Sequence, residues 1–108
     1  MKKALKRQWI AALRSGEYEQ TRDKLHDAEG FCCLGVACDL FVDDWWEWDS
    51  ADEYYYLSKG GDSMVLPNKC NEAWGLSLTE EIFLRDMNDN GSTFAEIADW
   101  IEANIPGE

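Results

Sequence analysis

The chain has 108 residues, enough for one domain with its own core, and 45% of them are apolar. Its 22 acidic and 10 basic side chains give a net charge of −12, and the placement is uneven: residues 1–24 hold 7 basic and 3 acidic groups, residues 25–108 hold 3 basic and 19 acidic. A body of that sign repels phosphate backbones and steers basic partners in, so direct binding of DNA or RNA is disfavoured. No apolar run reaches the roughly 18 residues of a membrane span. The start, MKKALKRQWIAALRSG, lacks the apolar stretch and small-residue cleavage site of a secretory signal. The expected location is therefore the cytoplasm, away from membranes, with the cysteines at 32, 33, 38 and 70 reduced.

Leu5, Trp9, Ala12 and Leu13 recur at helical spacing between Lys2 and Ser15, and Gly16 stands where a left-handed residue stops a helix. EYEQTRDKLHDAEGFC alternates weakly around Asp-Ala-Glu-Gly, which predicts a hairpin or two short extended pieces about a turn. CLGVACDLFV, residues 33–42, is apolar at nearly every position and predicts a buried helix at the centre of the fold. WWEWDSADEYYYLSKGGDSMVLP has the clustered aromatics of strands, with a turn at Gly60-Gly61 and a further extended piece from Met64 to Leu66. Pro67 opens a short helix through Trp74 that Gly75 closes. Ser77-x-x-Glu80 and Thr93-x-x-Glu96 are capping boxes, each announcing one more helix. The expected fold is a single α+β domain, four to five helices packed on a small antiparallel sheet.

Three stretches, WIAALRSGEYEQ, CCLGVACDL and MNDNGSTFAEIADWIE, together resemble small uncharacterised proteins encoded in tailed-phage genomes and other mobile elements. That group shares a CCLGV-x-C core and an N-D-x-G-x-x-F-x-x-I-A-D ending. The resemblance implies an origin and carries no activity or site residue with it.

The cysteines have three readings. Zinc prefers ligands two to four residues apart, whereas Cys32 and Cys33 are adjacent and point in different directions, and only His26 and Cys70 could complete a set. A thiol nucleophile is better placed, because a helix N-terminus at Cys32 or Cys33 would stabilise a thiolate, with His26, the single histidine, as its base. Lining a core with Cys33, Leu34, Val36, Ala37 and Leu40 accounts for the same residues without chemistry. A calcium loop is the other metal reading, since Asp86, Asn88, Asn90 and Gly91 follow EF-hand spacing; the closing position that needs a bidentate glutamate holds Ile97. A turn that ends one helix and caps the next fits these residues equally. No cofactor is expected.

The strongest functional pattern is aromatic. DDWWEWDSADEYYY holds three tryptophans, three tyrosines and six acidic groups with no base. Neighbouring strand residues face opposite sides, so Trp45 and Trp46 cannot both be core. The expected binding surface comprises Trp45, Trp46, Trp48, Tyr54 and Tyr55 with Asp43, Asp44, Glu47 and Asp49; in the alternative, Trp46 and Trp48 share a buried face and the carboxylates only solvate the other. The expectation is a non-enzymatic acidic binding protein, a phage or mobile-element accessory protein whose partner is a host protein with a basic surface. Two rivals stand beside it: a sequestering protein with an aromatic pocket for a nucleotide-like small ligand, its charge met by Arg22 or Lys24, and a cysteine-dependent hydrolase or transferase.

Overall fold

The termini of the chain meet, and this closes the fold around its first helix. In the computed structural model, which describes residues 1–43, 45–58 and 65–108, the α-amino group of Met1 donates to the Pro106 carbonyl at 3.0 Å. Lys3 N–H donates to the carbonyl of Glu108, and Glu108 N–H to that of Met1, both at 2.9 Å. Helix α1 (Lys3–Arg14) buries Trp9 and Leu13 and packs chiefly on the last helix. Ser15 ends it, and Gly16 follows at φ 77° as the spacing predicts.

Helix α2 (Cys33–Phe41) is the centre, with every residue from Cys33 to Cys38 buried. The segment before it folds back on itself: Thr21 N–H donates to the Phe31 carbonyl and Phe31 N–H to that of Glu19, both at 2.9 Å. Residues 27–30 form the expected turn, in which Asp27 Oδ1 accepts from the N–H groups of Glu29 and Gly30. Leu25 in this arm lies so close to α2 that a Cβ on Gly35 would collide with its carbonyl. The glycine of CCLGV is therefore a packing requirement, and it explains why a poor helix former stands inside a helix.

Strands β1 (Trp46–Asp49) and β2 (Tyr54–Leu57) pair antiparallel, Trp46 opposite Leu57 and Asp49 opposite Tyr54. Their turn lies at residues 50–53, where Asp49 Oδ1 accepts from Ala51 and Asp52 N–H and Glu53 takes φ 57°. The Gly60-Gly61 turn and Met64 lie outside the described residues, and the described Leu66 is buried without joining a strand. A bridge from Asp27 to Tyr54 fastens the arm to the edge of β2.

Three helices complete an α+β fold. Helix α3 (Asn68–Trp74) ends at Gly75 with φ 73°. Helices α4 (Leu78–Asp89) and α5 (Phe94–Asn104) each open with the reciprocal capping box that their sequences announce. One apolar core joins Trp9 and Leu13 of α1, the buried run of α2, Leu84 of α4 and Ile97 and Ile101 of α5. Buried Glu81 joins α4 to α3 and to the chain ahead of it, its two oxygens accepting from Leu66 N–H at 3.1 Å and Asn71 Nδ2 at 2.8 Å.

Candidate functional site

The double cysteine is interior. Cys32 is the N-cap of α2, its sulfur accepting from the Gly35 N–H at 3.3 Å, and Cys33 Sγ donates to the Leu84 carbonyl at 3.6 Å. Burial pushes the Cys32 thiol up to about 12 and the Cys33 thiol well above its ordinary value, outweighing the amides that would favour a thiolate. His26 does not meet them. Its Nδ1 lies 2.6 Å from the Gly30 carbonyl, and its ring is stacked between Phe31 at 3.7 Å and Tyr55 at 4.2 Å. The rival reading's candidate nucleophile and base, Cys32 or Cys33 with His26, are thus not assembled: the helix terminus is in place, but its cysteines are enclosed.

The calcium spacing also resolves into structure. Asp86 and Asn88 lie within α4, which continues to Asp89, so they occupy helix rather than a loop, and Asn90 caps its end. Asn88 is fully buried. Its Oδ1 accepts from Cys33 N–H at 3.2 Å and Gln20 Nε2 at 2.9 Å, while its Nδ2 donates to the Thr21 carbonyl at 2.8 Å. One amide thus satisfies an orphan donor at the start of α2 and ties α2, α4 and the arm together. Among the described residues no group of three or more His, Cys, Asp or Glu side chains is arranged to hold a metal ion.

The hairpin divides the aromatic residues by strand alternation. Trp46, Trp48, Tyr55 and Leu57 share the inner face, where Trp46 meets His26 edge-on at 5.0 Å and Trp48 meets Tyr55 at 4.8 Å. Asp39 anchors this side by accepting from Tyr18 Oη at 2.6 Å and Trp46 Nε1 at 3.1 Å. Burial, with the Asp39 hydrogen bond, pushes the Tyr18 phenol up to about 12, so it stays a donor. Asp39 was missed in the sequence, although it is the one charge inside CLGVACDLFV. Burial between the rings lowers the pKa of His26 despite the Gly30 carbonyl and the nearby Asp39 and Asp27 carboxylates.

The outer face carries Glu47, Asp49, Tyr54 and Tyr56, joined by Trp45 just before β1. Trp45 is 59% exposed, and its Nε1 donates to Glu47 Oε1 at 3.0 Å, which holds ring and carboxylate side by side. Tyr54 and Tyr56 rings neighbour each other at 6.4 Å, and Lys24 Nζ stands 4.8 Å over the Tyr54 ring. Asp43 is exposed; Asp44 lies outside the described residues. The expected surface is therefore two faces: Trp46 and Tyr55, half-buried, support the fold, Trp48 on the same face is nonetheless 42% exposed, and Trp45, Glu47, Asp49 and Tyr54 lie on the outer side.

A family model described as a domain of unknown function, DUF8296, matches residues 1–80. The chain belongs to this family. None of the curated proteins and none of the solved structures matches it. The DUF8296 segment takes in the double cysteine and the whole hairpin, and it ends in the first turn of α4.

Two cavities border the DUF8296 hairpin region. One of about 320 Å³ lies at the hairpin tip between Trp48, Glu53, Asp27, Ala28 and Glu29. Its three carboxylates and one indole suit a cationic group, not a phosphate. The other, about 420 Å³, lies between the end of α2 and α3, lined by Phe41, Val42, Asp43, Lys69, Cys70, Ala73 and Trp74. Arg22 enters neither lining, and Lys24 stays at Tyr54. Among the described residues no helix is long and apolar enough to cross a membrane.

Proposed function

We propose that the protein is a non-enzymatic acidic binding protein, a phage or mobile-element accessory protein that holds a basic host protein on the outer face of its hairpin. The observation that carries this reading is Trp45, 59% exposed and held beside the Glu47 carboxylate. A large apolar ring kept in water has no role in the core, and rigid aromatic side chains are the usual anchors of protein interfaces. Tyr54 and Tyr56 extend the apolar area across the strand pair, and Glu47 and Asp49 give it negative charge. Such a surface steers a basic partner in and occupies a groove built for phosphates, as on a host protein that normally binds nucleic acid.

The carboxylates around Trp48 favour this reading over a nucleotide-binding pocket, because a nucleotide would bring its phosphates against Asp27, Glu29 and Glu53. The test is a pull-down from host lysate at low and moderate salt, with wild type beside Trp45→Ala. The expected result is a basic protein whose retention falls with salt and is lost from the variant. Absence of any salt-sensitive basic partner sinks the reading, and a thermal shift with nucleotides would replace it by small-ligand binding.

A further inference from the structure

The exposed apolar surface is not confined to the hairpin. Among the described residues six large apolar side chains are exposed, and three stand on α4: Leu78 at 64%, Ile82 at 40% and Phe83 at 49%. Leu78 and Ile82 are one turn apart on one side of the helix, while Phe83 lies against Trp100 of α5, the rings stacked at 4.7 Å. Glu81, Leu84 and Asn88 supply the opposite, buried side of α4. The helix therefore has an inner face that completes the fold and an exposed apolar outer face, of which Phe83 alone is held by a ring contact to α5 among the contacts described. Single exposed apolar residues are ordinary, but a contiguous set spanning two helices marks an interaction surface.

Charge selects the occupant. Residues 78–108 contain 8 acidic groups and 1 basic. Glu81 is buried and Arg14 of α1 pairs with Asp99 and Glu102, so the charge bearing on this face is that of exposed acids such as Asp86 and Glu96. Exposed Asp86 follows Ile82 by about a turn along α4, and exposed Glu96 precedes Trp100 by about a turn along α5. The single base of residues 78–108, Arg85, is half-buried. A second copy seated here would oppose two surfaces of the same sign, and an anionic membrane would be repelled. We infer that the α4–α5 face, built on Leu78, Ile82, Phe83 and the Phe83–Trp100 stack, docks a basic amphipathic helix of a partner protein, its apolar stripe on these residues and its lysines or arginines beside Asp86 and Glu96. Helix-in-groove recognition has this form, with anchors at helical spacing and flanking charges that choose the partner. Helix α4, 12 residues or about 18 Å long, offers room for about three turns of such a helix. The inference stands apart from the hairpin reading.

The probe is a synthetic helical peptide of about 14 residues with leucines on one face and lysines on its flanks, a length set by that span. Its control has every lysine replaced by glutamate. Amide shifts of the full chain are followed by NMR during titration. Saturable binding of the lysine peptide is expected, with the largest shifts on α4 and α5, at least about 10-fold weaker for the glutamate peptide and for Phe83→Ser, and unchanged in Trp45→Ala. Leu78→Ser, at a more exposed position, supplies the same comparison if Phe83→Ser lowers the melting temperature. Four results overturn the inference: no saturation by the lysine peptide, equal binding of the two peptides, shifts centred on the hairpin, or a dimer of the free chain that Leu78→Ser dissociates.

Discussion

The two cysteine and tryptophan clusters look alike as sequence oddities, yet they do opposite things. Around Cys32 and Cys33 the side chains are enclosed, and the N–H of Cys33, the start of α2, is answered by Asn88 of a distant helix. Around Trp45 the ring is in water with its N–H fixed to a neighbouring carboxylate. The contrast teaches that unusual residues gain meaning from what they touch. Sulfur in the core is volume and a weak hydrogen-bonding partner, whereas an indole on a sheet's outer face is contact area available to a partner.

The comparison can be broken from the interior side first. Gly35→Ala drives a Cβ into the Leu25 carbonyl, and the expected loss is more than about 4 kcal/mol, seen as failure to fold in circular dichroism. Asn88→Ala leaves the Cys33 N–H and the Thr21 carbonyl without their partner. The expected cost is about 2–4 kcal/mol by urea unfolding, from the desolvation penalty of buried unpaired groups. Retention of wild-type stability there would mean that the arm and α2 are not tied through α4. Cys38→Ser places a hydroxyl at a position only 1% exposed, so a loss of about 1–3 kcal/mol is expected, and an unchanged melting temperature would contradict the central place given to α2.

The smallest expected effect sharpens the boundary between the two regions, where His26 lies between Phe31 of the arm and Tyr55 of the hairpin. Burial lowers its pKa below 6.5, so the unfolded chain takes up a proton more readily than the folded one. Stability from this group is complete above pH 6.5 and declines as pH falls through 6.5 towards the folded pKa. Melting temperature measured from about pH 7 down to about pH 5, the range in which an unperturbed histidine titrates, should show this decline in wild type. His26→Gln should flatten it. An equal slope in both proteins would assign the effect to carboxylates instead.

Helix boundaries were legible because the signals are local: Gly16, Gly75 and the two capping boxes act on their own helices. The interior place of Cys33 and Cys38 followed from the apolar run Cys33–Cys38, whereas Leu40, expected in the same core, lies beyond Asp39 and is exposed. The turn at residues 50–53 went unannounced for a physical reason. Asp49 closes it through its own carboxylate and Glu53 accepts a left-handed backbone, so no glycine marks the spot. Asn88 was out of reach because its partners, Gln20, Thr21 and Cys33, come from far along the chain. Its spacing with Asp86 and Asn90 pointed to calcium, but α4 runs through that spacing and carries Asn88 inwards. Which face of β1 turns outward, and with it the exposure of Trp45 just before the strand, was left open between two faces by alternation alone.

The most direct test measures stability and partner binding together in Cys32→Ala, Cys33→Val and Trp45→Ala, using the basic protein captured from host lysate. The account predicts that both cysteine variants melt lower yet bind as wild type once folded, since packing responds to volume and not to sulfur. It predicts that Trp45→Ala keeps its melting temperature and loses about 2 kcal/mol or more of binding, the scale of an interface anchor. Normally folded cysteine variants that lose binding, beside a tryptophan variant that keeps it, would move the functional centre to the double cysteine and contradict the account.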